Sequence, residues 1–283
     1  GHALGSPYEG LLAAAADPPA PLLISVWGND FTLHATATPW MGRLTRQAMS
    51  RADALHTDCF RDQRLAQAWG FTPSKPAVVL PGGGGIQPET FYPPPGKGQR
   101  ELLVVNPRAL RPYVRSDTFF RSIPPVRQAM PEARFACVAM AGEPEALNWI
   151  SSLGIDPAAV DLLPLQSREQ MAVLFRRARV VVSPSTHDGT PNTLLEAMAC
   201  GCFPVAGDLE SLREWIQPGV NGLLVDPADP QALAGAVLRG LEDAGLRDQA
   251  QTVNQDLIAR RAAYGPVMAQ AREFYQSLFA GRG

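Results

Sequence analysis

From residue 101 onward, short apolar runs rich in Val and Leu alternate with amphipathic stretches: 102–105 (LLVV), 135–139 (FACVA), 161–163 (DLL), 180–183 (VVVS), 203–206 (FPVA) and 222–225 (GLLV). Runs that are apolar at consecutive positions suit strands buried on both faces, as in a parallel sheet. Between them lie helical candidates near 116–130, 143–153, 168–178, 191–200, 209–216 and 230–242. Several open on Asp, Ser or Pro, residues that satisfy or dispense with the unpaired N–H groups of a first helical turn. The alternation predicts βα units building a parallel sheet with helices on both faces. Ligands of such sheets sit beyond the carboxyl ends of the strands.

The first hundred residues carry a sparser version of the same pattern. Strands are predicted at 22–26 (LLISV), 54–57 (ALHT) and 77–80 (AVVL), with helices near 8–16, 40–51 and 59–69. The stretch 81–98, PGGGGIQPETFYPPPGKG, is too dense in Gly and Pro for a helix or central strand and marks a linker. Toward the end, Val267, Ala271, Phe274, Tyr275 and Leu278 fall at helical spacing within 262–279, so this helix packs along one face. The predicted organisation is a partial first α/β domain with its linker over 1–95, a complete second domain over 96–261 and a terminal helix over 262–283.

A composition of 46% apolar and 18% charged residues over 283 positions suits a globular chain of about two domains and excludes a disordered or collagen-like one. A net charge of −2 gives no electrostatic footprint of a nucleic-acid binder. Cys59, Cys137, Cys200 and Cys202 show neither the paired spacing of a zinc site nor the density of a secreted scaffold, which points to a reducing compartment. No window approaches the roughly 20 apolar residues of a spanning helix, and no basic-then-apolar leader opens the chain, so a cytoplasmic location is expected. The chain starts on Gly1-His2 rather than Met, as a trimmed or processed chain does. Arg outnumbers Lys 23 to 2, a bias that GC-rich coding produces, so an Arg by itself is weak evidence of selection for that side chain.

Chemistry concentrates in Ser183 to Gly201, SPSTHDGTPNTLLEAMACG, which leaves an apolar strand, passes a loop with His187, Asp188 and Gly189, and enters a helix at about Pro191. The N–H groups of Thr190, Asn192, Thr193 and Leu194, with the positive end of the helix dipole, would hold an anion such as a diphosphate. Gly189 would let it approach the backbone. Asn192, Glu196 and Cys200 fall on one helical line, while Leu195, Met198 and Ala199 can face the core. Glu196 on that line could accept two hydrogen bonds from a ribose diol. The bland reading, in which Asp188 caps the helix and Glu196 is a solvated charge, is equally open at this point.

This segment resembles the retaining glycosyltransferases of the GT-B fold, specifically the large family four, also described as glycosyl transferases group 1. The hallmark is a strand, Pro-Ser, an acidic residue, Gly, a spacer and then Leu-Leu-Glu-Ala-Met-Ala-Cys-Gly-x-Pro-Val, which 184–205 match almost throughout. The run from Glu214 through Asn221-Gly222-Leu223-Leu224-Val225 to Asp229-Pro230 extends it, and the likeness covers most of 100–280 and, more loosely, 21–93. It implies two facing Rossmann-like domains, a partial acceptor-side one first and a nucleotide-sugar-binding one second, with the terminal helix crossing back to the first. The implied activity moves a sugar from a nucleotide-diphosphate donor to a carbohydrate or lipid-linked acceptor with retention of configuration. A lipid-linked acceptor would bring the chain to the inner membrane face as a peripheral protein.

Carried over by position, Glu196 would bind the donor ribose, Asp188 the hydroxyls of the transferred sugar, and Gly189, Thr190, Pro191, Asn192, Thr193 and Leu194 the diphosphate and sugar. The family usually has Glu where this chain has Asp188, one carbon longer. Arg108 and Arg115, after LLVVNP, are the candidates to neutralise the leaving diphosphate, with Arg111 in reserve; Arg115 replaces a usual Lys, exchanging a point charge for a planar fork. Their role would be electrostatic, as charge builds on the β-phosphate. The base is expected at the loop 163–167, around Leu165, without a side-chain code that selects UDP, GDP or ADP. No metal site and no cofactor beyond the donor substrate are expected.

In SVWGNDF, many relatives have His at the position of Trp27; Trp would form an apolar wall and could not relay a proton. Asp30 is an acceptor-side candidate that equally suits a turn or cap. His34, His56 and His187 read as ordinary polar residues, and Lys75 and Lys97, both in loop-like stretches, do not suit the cofactor lysine of a phosphorylase. Relative to the resembling enzymes, about 100 residues of the first domain have no counterpart, judged by usual domain size. A shortened chain, a separate partner chain and a natural short form all stay open. A sheet beginning at Leu22 would expose an edge, and a partner or self-association there is expected. The competing reading is a nucleotide-sugar-binding subunit or inactive relative that needs a partner chain.

Overall fold

The computed structural model describes residues 1–16, 20–95 and 100–280, the side chains of Phe279 and Ala280 excepted. The chain divides into two compact units. One holds Gly1–Gly85, His187–Pro191 and the chain from Tyr264 onward; the other holds Ile86–Thr186 and Asn192–Ala263.

In the first unit, strands β1 (His2–Leu4), β2 (Leu23–Val26), β3 (Ala54–Thr57) and β4 (Ala77–Val79) form a parallel sheet in the order β1-β2-β3-β4. Helices α1 (Leu11–Ala15), α2 (Pro39–Arg51) and α3 (Phe60–Ala68) follow β1, β2 and β3 in the chain. Alternation across the sheet sends Ala3, Ile24, Val26 and Leu55 to one face, where they pack with Phe31, Ala48, Met49, Ala66 and Phe71. Helix α2 starts where Thr38 accepts the Met41 amide at 3.1 Å and Pro39 occupies the first turn.

The predicted edge at Leu22 is corrected by β1, which runs beside β2 from His2↔Leu23 to Leu4↔Ser25. Three residues, HAL, are too few to show a period, so this strand was not legible. A short turn at Asp30–His34 was missed for the same reason.

The second unit has strands β5 (Glu101–Asn106), β6 (Arg134–Cys137), β7 (Val160–Leu162), β8 (Ala178–Ser183), β9 (Phe203–Gly207) and β10 (Leu223–Val225), all parallel, in the order β10-β9-β8-β5-β6-β7. Its helices are α4 (Ser116–Ala129), α5 (Pro144–Ser152), α6 (Arg168–Arg177), α7 (Asn192–Ala199), α8 (Pro230–Glu242) and α9 (Ala244–Arg261). Val104, Phe135, Val180 and Val205 pack on one side with α4, α5 and α8. Leu103, Val105, Ala136 and Val181 pack on the other with α6 and α7. Burial on both faces is why these strands read as unbroken apolar runs.

The helix expected at 209–216 is corrected to a single 3₁₀ turn, Leu212–Glu214. Pro218 cannot extend it, and Asn221 takes the Gln217 amide at 2.7 Å. Helix α9 was not predicted: its buried line, Leu246, Ala250, Asn254 and Ile258, is one residue wide and contains Asn254, which exchanges hydrogen bonds with Asn221. Of the predicted linker, Ile86 and Phe91 are buried in the second unit, and 96–98 lie outside the described residues.

The terminal helix α10 (Tyr264–Ala280) groups with the first unit. Its Val267, Met268, Ala271, Phe274 and Tyr275 face the sheet side that carries Leu23, Val78 and Leu80, around a cavity of about 200 Å³. Among the described residues, no helix is long and apolar enough to cross a membrane.

Candidate functional site

In the second unit, unpaired polar atoms gather at the carboxyl ends of two neighbouring strands and the helices that follow them. β5 ends at Asn106, whose Oδ1 accepts the Arg108 amide at 3.2 Å while its Nδ2 is buried without a partner. β8 ends at Ser183; the hydroxyls of Ser183 and Ser185 are buried without partners, as are those of Ser116 and Thr118 at the start of α4 and Oδ1 of Asn192 at the start of α7. Folded interiors pair nearly all such groups, so a concentration at this end of a parallel sheet suits a polar ligand.

Glu196 lies on α7 beside this end, half-buried, while Leu194, Leu195, Ala197 and Met198 are in the core. Burial pushes its carboxyl up to about 7, against the pull of the Arg168 charge. It is therefore no solvated helical charge. The predicted polar line ends here, because Cys200 is wholly buried, as are the other three free thiols.

Arg115 stands just before α4 in the left-handed region, φ 56°. Its guanidinium grips Asp117 through two hydrogen bonds, 2.9 and 3.0 Å. That pairing raises the Arg115 pKa and holds the Asp117 carboxyl below its usual range. Arg108 is half-buried after β5. Arg111 is exposed, donates to the Leu110 carbonyl at 2.7 Å, and lines a cavity of about 270 Å³ with Ser116, Asp117 and Trp149. Two other Arg of this unit are structural: Arg100 donates to the carbonyls of Ala178 and Cys200, and Arg134 pairs with Asp161. Leu165 projects into solvent, 83% exposed, from a loop anchored by Leu163 and by the Ser167–Gln170 capping box.

The segment His187–Pro191 belongs to the first unit. Its Gly189 backbone lies against Gly28, and a Cβ on Gly189 would fall 2.3 Å from Asp58 Oδ1. Asp58 Oδ2 accepts the Thr190 amide at 3.1 Å, and the Thr190 hydroxyl donates to the Asp58 carbonyl. The Thr190 N–H proposed for anion binding is thus already engaged. His187 Nδ1 meets the Thr32 hydroxyl at 3.1 Å, and Asp188 is half-buried.

Burial, reinforced by the charge of Asp62, pushes the Asp58 carboxyl up to about 7. Asp58, Cys59 and Asp62 bring potential ligand atoms within 4.8 Å of one another. Arg61, ion-paired to Asp62 at 2.7 Å and donating to the Gly28 carbonyl at 2.6 Å, supplies the positive charge in that cluster.

Asp30, an acceptor-side candidate that equally suited a turn or cap, is buried here and ties two backbone amides. It is 4% exposed and accepts the amides of Ser6 at 2.9 Å and Trp27 at 3.3 Å; burial raises its carboxyl to about 6. Trp27 is half-buried, edge-on to His56 with ring centroids 5.5 Å apart, and walls the 200 Å³ cavity.

Along that cavity runs a hydrogen-bonded chain that sequence reasoning missed. Tyr275 Oη meets His2 Nδ1 at 2.7 Å, His2 Nε2 meets Ser25 Oγ at 2.7 Å, Ser25 Oγ meets His56 Nδ1 at 2.9 Å, and His56 Nε2 meets the Leu80 carbonyl at 3.1 Å. Asp58 was missed as well: HTDCF at the end of a four-residue strand carries no signal of a partner more than 130 positions away.

The profile of the family described as glycosyl transferases group 1 matches residues 102–243. The D-inositol 3-phosphate glycosyltransferase of Acidothermus cellulolyticus is 29% identical over 218 residues, 70% of this chain and 48% of that protein. The O-antigen chain mannosyltransferase B of Escherichia coli is 34% identical over 101 residues, 36% and 23% of the two chains. The chain spans about half or less of the length of these relatives. Sucrose-phosphate synthase from Thermosynechococcus elongatus superposes with a TM-score of 0.84 at 17% identity, covering 99% of this chain and 73% of its own. Anabaena HepE in complex with UDP-glucose gives 0.79 at 20% identity, covering 95% and 76%. These likenesses establish a GT-B type of α/β fold.

Proposed function

The chain belongs to the glycosyl transferases group 1, and from that premise we propose that it moves a sugar from a nucleotide-diphosphate donor to a carbohydrate or lipid-linked acceptor with retention of configuration. The observation that carries this reading is the set of unpaired buried polar atoms on Asn106, Ser116, Thr118, Ser183 and Asn192, beside half-buried Glu196, at the carboxyl ends of β5 and β8. A diphosphate-ribose unit supplies many hydrogen-bond acceptors and a diol, which suits a site rich in neutral donors with one carboxylate.

In this reading Glu196 accepts the ribose diol, Asn192, Thr193 and Leu194 face the diphosphate at the α7 start, and exposed Leu165 lies under the base. Asp188 contacts the transferred sugar. Arg108 and Arg115 stabilise the charge that builds on the β-phosphate as the glycosidic bond breaks, Arg115 while still braced by Asp117. The acceptor oxygen attacks on the face that the phosphate leaves, and the departing phosphate oxygen takes the acceptor proton. Positioning and charge stabilisation do the work without a metal ion. Trp27 walls the acceptor side.

The test is thermal stability against UDP, GDP, ADP and dTDP and their common sugar conjugates, since ligands of the native state raise the midpoint. A shift with one base that Glu196→Ala abolishes supports the donor site and selects the sugar nucleotide for transfer assays, whose product anomer reports retention. No shift with any nucleotide would overturn the reading for this chain.

A further inference from the structure

We propose that Asp58 is a positioning residue for sugar transfer: its buried side chain fixes the backbone of the turn Asp188–Gly189–Thr190. The inference rests on the function proposed above, because that turn carries the residue assigned to the transferred sugar.

Five residues without regular structure need tertiary ties to hold one conformation. Asp58 and Thr190 provide two hydrogen bonds in opposite senses, amide to Oδ2 and hydroxyl to the Asp58 carbonyl, which close a ring between the two residues. The turn is also held sterically. The Asp58 carboxylate occupies the space where a Gly189 side chain would stand, and Gly28, in the turn after β2, blocks the same segment, its own Cβ position falling 2.2 Å from Gly189 Cα. His187, at the head of the segment, is tied to Thr32.

The placement is costly. Asp58 is 7% exposed, and its Oδ1 faces Gly189 with no hydrogen-bond partner among the described residues. Burying such a group without compensation is unfavourable. A neutral Asn could take the Thr190 amide, but would set an amide group with its two hydrogens where Oδ1 now lies close to Gly189. A carboxylate accepts the Thr190 amide at Oδ2 and sets no donor against Gly189 at Oδ1. Thr190 lies two residues after Asp188 and two before Asn192 in the chain, so a shift of its amide moves the sugar contact and the entry to α7 together. A displacement of about 1 Å in such a site can cost on the order of 100-fold in rate.

The experiment uses the full chain with UDP-glucose, GDP-mannose, ADP-glucose and dTDP-glucose, and measures nucleoside diphosphate release, nucleotide dissociation constants and amide hydrogen exchange. Asp58→Ala is expected to lower kcat by on the order of 100-fold, to leave the nucleotide dissociation constant within about twofold because Glu196 is untouched, and to speed exchange within 187–192 alone. Asp58→Asn, which keeps one acceptor, should recover part of the lost kcat; Thr190→Ala should lose less than Asp58→Ala. Wild-type kcat in Asp58→Ala overturns the proposal. So does faster exchange throughout the first unit in both Asp58 variants, which would make the residue merely structural. If the wild type releases no diphosphate from any donor, the proposed function falls, and exchange decides whether Asp58 holds the turn: unchanged protection of 187–192 in Asp58→Ala overturns that as well.

Discussion

The backbone of Gly28 lies against that of Gly189, so closely that a Cβ built on Gly28 would fall 1.6 Å from the Gly189 nitrogen. Gly28 follows Trp27 after β2, and Gly189 is the centre of the turn held by Asp58. Neither position has room for a side chain.

Gly28→Ala is therefore expected to destabilise the protein by about 1–3 kcal/mol, as overpacking does. The obstacle is backbone, which cannot swing away as a flexible side chain would. Urea unfolding measures the loss. A midpoint equal to that of the wild type would show that the two backbones separate at no cost.

Arg115 combines a strained backbone with a partly exposed ion pair. A left-handed conformation costs a non-Gly residue about 1–3 kcal/mol, whereas pairs as exposed as Arg115–Asp117 contribute about 0–1 kcal/mol. Arg115→Gly should then leave stability unchanged or raise it, while Arg115→Ala, which keeps the strain and loses the pair, should lower it. Both should reduce sugar transfer alike. Full turnover in Arg115→Gly, read as nucleoside diphosphate release, would remove this residue from the chemistry.

What the sequence made legible follows from burial. Val180, Val181 and Val182 are all inside, on alternate faces of β8, so the strand shows as a run that needs no partner to be recognised. Glu196 stood out because a helical line of polar positions is readable at a spacing of four. The engagement of the Thr190 amide by Asp58 was not readable, because it joins residues 132 positions apart across segments that carry no period. The two readings of Asp30 could not be separated for a related reason: a carboxylate in a GND turn looks the same whether it faces solvent or two buried amides. The short β1 and the narrow stripe of α9 lacked enough apolar positions to register.

Glu196 should make the stability of the nucleotide-free chain depend on pH. Its folded pKa, about 7, lies above the ordinary 4.5, so its contribution is fully present below 4.5 and is lost as pH rises through 7. Glu196→Gln removes this dependence. The thermal midpoint of the variant minus that of the wild type should grow from pH 5 to pH 8. Nucleotide affinity of the wild type should also rise over that range, as the ionised carboxylate becomes a double acceptor for the diol. A difference in midpoint that is constant with pH would contradict the burial of this carboxyl.

The chain from Tyr275 to Leu80 has one direction. The Leu80 carbonyl can only accept, so His56 carries its hydrogen on Nε2 and accepts from Ser25; Ser25 in turn accepts from His2 Nε2, and His2 Nδ1 accepts from Tyr275. Both imidazoles must be neutral for this order. Burial lowers the pKa of each from 6.5, helped at His56 by the charge of His2 and opposed there by the Leu80 carbonyl. A base with a lowered folded pKa contributes stability above 6.5 that is lost as pH falls through the folded value. Acidification from pH 7.5 to 5 should accordingly speed amide exchange in α10 more than in α9, because Tyr275 is the α10 end of the chain. Tyr275→Phe leaves His2 Nδ1 without its donor, at a cost of about 1 kcal/mol, so α10 should exchange faster at pH 7.5 and gain little further on acidification. Equal acid sensitivity of α10 in the variant and the wild type would show that the helix is held by Val267 and Phe274 alone, with the histidines as bystanders.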